Sequence, residues 1–98
     1  MNTKEFNSDD ASLSVDLSEA RQAVKENRFK DALGLFEIIL KEDPNHIDSL
    51  YLASVSSRYL KKFDDSKKYI EQLMIIAPDM GRAYQELGHI FRDMGDET

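Results

Sequence analysis

Few side chains in this sequence could do covalent or metal chemistry. It has two histidines, His46 and His89, and no cysteine. Without cysteine there is no disulfide, no thiolate metal ligand and no cysteine nucleophile. The histidines lie far apart in the chain and neither has a ligand-spaced partner, so His46 beside Asp48 reads as part of a helix start. The neighbouring carboxylates Glu42/Asp43 and Asp64/Asp65 resemble a proton-sharing pair, but each set flanks a helix end, where acidic residues cap or solvate. No glycine-rich phosphate loop and no serine elbow occurs. The four methionines read as core filler. The expectation is a non-enzymatic chain with no metal and no cofactor.

Charge and length narrow the alternatives. Ninety-eight residues make at most one small domain. A hydrophobic share of 41% and a charged share of 33% suit a soluble helical protein better than a disordered one. The formal net charge of −6 repels phosphate backbones, so a nucleic-acid partner is not expected. No apolar run approaches the ~18–20 residues that span a bilayer. The start, MNTKEFNSDDAS, has no apolar core of the kind a secretory signal needs. These features predict a cytoplasmic chain without membrane association.

The elements that must position any site are helices. Residues 1–12 are polar and aperiodic and read as a mobile tail, with a docking motif around Phe6 as the sharper alternative. Leu13, Leu17, Ala20 and Val24 lie on one face of a first helix from about Ser14 to Glu26, started by Ser12 or Ser14. Asn27 suits a left-handed turn residue. A second helix is predicted from about Phe29 to Lys41, with Leu33, Phe36, Ile39 and Leu40 buried and Asp43-Pro44 ending it. Asn45 caps a third, about His46 to Leu60, which is apolar or small on two sides. Leu50, Ala53, Ser54, Ser57 and Leu60 form one side; Tyr51, Leu52, Val55 and Tyr59 form the other. A fourth runs from about Asp64 to Ile76 and stops before Pro78. Asp79 caps a fifth, about Met80 to Met94, with Tyr84, Leu87, Gly88 and Phe91 inward and Gly95 as its stop. No strand signal is present, so the fold class is all-α with five helices.

Two stretches repeat at an offset of 34 residues: NRFKDALGLFEIILKEDP (27–44) and KKFDDSKKYIEQLMIIAP (61–78). Phe29 falls on Phe63, Asp31 on Asp65, Glu37 on Glu71 and Pro44 on Pro78. The same step carries Ala20 to Ser54 to Gly88. Such a period marks stacked helical hairpins, and the small residues allow two helices to cross closely, opposite Ala32 and Ser66.

The pattern resembles the tetratricopeptide repeat. Tyr84, Leu87, Gly88, Phe91 and Gly95 carry the likeness in the third copy. Ala20, Phe29, Ala32, Phe36 and Pro44 carry it in the first. Leu50, Ala53, Phe63 and Pro78 carry it in the second, with Ser54, Ser66 and Ile70 as near-substitutes. Asp16 and Glu19 depart from it, standing where the family is bulky and apolar. The resemblance implies a right-handed solenoid of about two and a half repeats (13–46, 47–80 and a truncated 81–98). It also implies a concave groove lined by the first helix of each repeat. Carried onto this chain, the groove positions are Leu17, Arg21 and Lys25; Tyr51, Leu52, Val55, Arg58 and Tyr59; and Arg82, Gln85, His89 and Arg92. That set is basic and aromatic in an acidic chain. Arginine forks recognise carboxylates and tyrosine supplies apolar area with a polar tip, so an acidic or C-terminal peptide segment is the expected ligand. The alternative is internal: the tyrosines pack between helices and the arginines pair with Glu26 or Glu86. The clamp by which some family members hold chaperone tails is not expected, because Leu52 and Glu86 replace its polar and cationic groups.

The leading functional expectation is a protein-interaction scaffold. The alternative is a non-catalytic repeat region ahead of an enzyme domain. The run IIAPDMGRAYQELGHIFRDMGD, with LKEDPNHIDSLYL before it, looks like the repeats that precede the catalytic domain of some bacterial sulfotransferase-like proteins. A third alternative is a weak homodimer through the last helix, where Leu87 and Phe91 stay partly open.

Overall fold

The computed structural model describes residues 16–96. The polar tail and the start signals Ser12 and Ser14 lie outside them. Five helices follow one another: α1 (Leu17–Lys25), α2 (Phe29–Glu42), α3 (Ile47–Tyr59), α4 (Phe63–Ile76) and α5 (Gly81–Asp96). No strand occurs among the described residues.

The helix ends follow from local chemistry. Asp16 is extended, and its carboxylate accepts the Ser18 N–H at 2.9 Å. That satisfies one donor left open by the first turn, so α1 starts three residues later than the spacing predicts. Asp16, out of place as an apolar position, is a cap. His46, not Asn45, caps α3: its Nδ1 accepts the Ser49 N–H at 3.2 Å. Asn45 instead accepts a hydrogen bond from Gln72 Nε2. At α5 the helix begins at Gly81, which leaves Asp79 too early to cap it, and runs through Gly95, which does not stop it.

Both hairpin turns are built alike. Asn27 and Lys61, 34 residues apart, have φ of 61° and 63°. Around each, two backbone bonds close the helix end. Arg28 N–H reaches Ala23 C=O and Asn27 N–H reaches Val24 C=O; Lys62 and Lys61 do the same to Ser57 and Arg58. This is the Schellman closure, usually made by glycine at the left-handed position. The proline stops also repeat. Asp43 and Ala77 are driven out of the helical region at φ near −138° and −139°, as the residue before proline must be.

Each helix packs on the next, and α3 also touches α1 and α5. One apolar cluster joins Ala20, Ala23, Ala32, Leu33, Phe36, Ile39 and Ala53. A second joins Leu50, Ile70, Leu73, Ala83 and Ile90. α3 contributes to both, which explains why it is small or apolar on two sides. At the α3–α4 crossing, Ser54 Oγ donates to Ser66 C=O at 2.9 Å and Ser66 Oγ to Ser54 C=O at 2.7 Å. The inner face of α5 differs from the expected one. Ala83, Glu86 and Ile90 are buried and Leu87 packs against the second cluster as expected, whereas Tyr84, Gly88 and Phe91 are exposed.

Candidate functional site

Three helices that are not consecutive, α1, α3 and α5, supply one concavity of about 300 Å³. α1 contributes Arg21, Val24 and Lys25; α3 contributes Asp48, Tyr51 and Leu52; α5 contributes Arg82. Spacings of three and four put these residues on one face of their helices. Five of the residues expected in the groove therefore come together: Arg21, Lys25, Tyr51, Leu52 and Arg82.

The site has an apolar floor and a cationic rim. Val24 and Leu52 are half-buried, packed against the first core cluster. The Arg82 guanidinium lies 4.7 Å above the Tyr51 ring, an arrangement that holds a long side chain against an aromatic face. Arg21 pairs with Asp48 across α1 and α3. Both partners are well exposed, so this pair contributes only about 0–1 kcal/mol and is open to exchange for a carboxylate from outside. Lys25 and Arg82 form no ion pair with another described residue. The rim thus carries two unneutralised cations beside one arginine held loosely.

The remaining expected residues lie elsewhere. Arg58 is 8% exposed and Glu86 2% exposed. Arg58 Nε donates to Glu86 Oε2 at 2.6 Å, Nη2 to Oε1 at 3.3 Å and Nη1 to Asp93 Oδ2 at 2.8 Å. Burial works against its charge, but the hydrogen bonds to Glu86 and Asp93 outweigh burial and hold it firmly protonated. Asp93, bonded by Arg58 and then Arg92, stays below the usual carboxylate range. Arg58 is a tie between α3 and α5, unavailable to a ligand. Tyr59 stacks parallel to Phe29, centroids 4.4 Å apart, beneath the Arg58 guanidinium. Arg92 bonds Asp93 and donates to His89 Nδ1. Val55 and Gln85 do not line the concavity, and Leu17 packs against the first core cluster.

Sequence reasoning missed Val24 and Asp48. Asp48 had an evident role in the first turn of α3, which hid its reach to Arg21. The signal for the Arg58 tie was Glu86, a carboxylate in the buried stripe with Ala83 and Ile90, where it demands a cation.

Among the described residues, no group of three or more histidine or acidic side chains could hold a metal ion, and no helix is long and apolar enough to cross a membrane. Neither the protein-family models, the curated proteins nor the solved structures contain a match to this chain.

Proposed function

We propose that this chain is a tetratricopeptide-like interaction module. Its concave side takes a short peptide segment bearing a carboxylate, either an acidic side chain or a chain terminus. The observation that carries this reading is the concavity shared by α1, α3 and α5, with Lys25 and Arg82 at its rim and Val24 and Leu52 at its floor. In a protein of net charge −6, three cations, Arg21, Lys25 and Arg82, line this hollow against one carboxylate, Asp48. Its volume suits one or two side chains, so the contact is a short anchor and not a long threaded peptide. The carboxylate is received by Arg82 and Lys25, and Arg21 joins when Asp48 releases it. An adjoining apolar side chain packs on Leu52 and Val24.

An array of peptides tests this directly, each presented with a free C-terminal carboxylate and again as the amide. The reading expects acidic and free-carboxylate members to bind, with backbone amide shifts at Lys25, Tyr51 and Arg82. Binding that ignores peptide charge, or shifts confined to other residues, overturns it.

A further inference from the structure

The concavity between α1, α3 and α5 is lined by one carboxylate, Asp48, and that carboxylate already stands on one of its cations, Arg21. Asp48 precedes Tyr51 by three residues and Leu52 by four, so it lies on the face of α3 that forms the hollow. Arg21 precedes Val24 by three and Lys25 by four, on the matching face of α1. The pair therefore closes over the space in which a ligand would sit. Arg82 is placed differently, with its guanidinium held over the Tyr51 ring.

The fold does not depend on this pair. Asp48 stands in the first turn of α3, where the open N–H end of the helix stabilises a carboxylate whether or not a cation is near. His46 caps the same end through Nδ1 and the Ser49 N–H. Ala20, Ala23 and Ala53 join α1 to α3 in the apolar cluster. Both members of the pair are well exposed, so each can turn to water without being stranded. Arg58 is the contrast: it is 8% exposed and its carboxylates are spent on the fold.

We propose that Asp48 is an internal stand-in for the ligand's carboxylate, and that it sets the affinity of the site. This rests on the carboxylate-binding reading of the groove. In the free chain Asp48 occupies Arg21, and an incoming carboxylate is received by Arg82 and Lys25. To reach Arg21 the ligand must displace a carboxylate of its own chemistry, tethered beside the cation at high effective concentration. Asp48 thereby keeps the site weak and makes its third cation conditional.

Calorimetric titration with an acidic, free-carboxylate peptide tests this on four chains: unaltered, Asp48→Asn, Arg21→Gln and the double variant. Asp48→Asn should bind about five- to tenfold more tightly, because the ligand no longer competes for Arg21 and gains a charge-assisted contact. Damage to the fold does not produce such a gain. In the Arg21→Gln background the same change should gain at most about twofold, the residue of a screened repulsion. Glu71→Gln, at an exposed position on α4 outside the hollow, controls for net charge and should not reproduce the gain. An Asp48→Asn chain that binds no more tightly overturns the stand-in and leaves the groove reading intact. So does an equal gain with and without Arg21, or an equal gain in Glu71→Gln. Absence of binding in every chain overturns the groove reading and the stand-in with it.

Discussion

Arg58 is a buried cation held by two carboxylates of another helix. It ties α3 to α5 through Glu86 and Asp93 and lies over Tyr59. Removing one member of a buried ion pair leaves the other charge without compensation. Arg58→Ala is therefore expected to cost about 3–5 kcal/mol, read as a lowered urea midpoint. A loss below about 1 kcal/mol would contradict a tie of this kind. Asp93 gives a pH signature. Its carboxyl is held below the ordinary value of 3.8 by Arg58 and Arg92. In acid the unfolded chain therefore binds that proton before the folded one does, and stability falls with pH. The contribution is fully present above about pH 4–5 and is lost as pH drops through the folded value. Asp93→Asn should flatten that part of an acid-unfolding profile, and a profile unchanged by the substitution would contradict the assignment. For Arg58 the sequence left two readings open, a groove position like Tyr51 on the same helix or a pairing with Glu86. The ion pair to Glu86, 28 residues on, decides for the second.

Helix by helix, the fold was largely legible. The 34-residue register anticipated that turns and stops would recur, and the backbone bonds at Asn27/Lys61 and Asp43/Ala77 recur in kind. Caps were less legible, because a competing local partner decides them. His46 took the position expected of Asn45, and Asp16 the one expected of a serine. The inner face of α5 was misread because Tyr84 and Phe91 look like core residues. The helix packs instead through Ala83, Glu86 and Ile90. The Ser54–Ser66 pair offers a test of how the register works. Ala20 and Ala32 hold the corresponding places in the first hairpin, so the crossing has an apolar solution already. Each hydroxyl donates to the other residue's main-chain carbonyl, and alanine keeps that carbonyl. Ser54→Ala should therefore remove one hydrogen bond, leave the Ser66 hydroxyl partnered and cost about 0.5–1.5 kcal/mol in urea unfolding. The double variant Ser54→Ala/Ser66→Ala should lose about the sum of the two single effects, and a double variant as stable as the unaltered chain would contradict this.

Across the whole molecule, charge is distributed by role. Glu86 and Asp93 are consumed in the tie to Arg58 on α3, and Arg28 is consumed at the first turn by Glu26 and Asp31. Lys25 and Arg82, from helices nearly sixty residues apart in sequence, are left over one apolar hollow. No single helix carries enough of this pattern to be recognised alone. It emerges because α3 touches both α1 and α5 and brings their cations to Tyr51 and Leu52. The measurement that tests the account most directly is a calorimetric titration with an acidic, free-carboxylate peptide. It compares the unaltered chain with Lys25→Glu/Arg82→Glu, and uses Lys68→Glu on the exposed side of α4 as the charge control. The account predicts at least a tenfold weaker Kd in the double variant, equivalent to about 1.4 kcal/mol, with Lys68→Glu close to the unaltered chain. Equal affinity in all three, or a loss as large in Lys68→Glu, would contradict it.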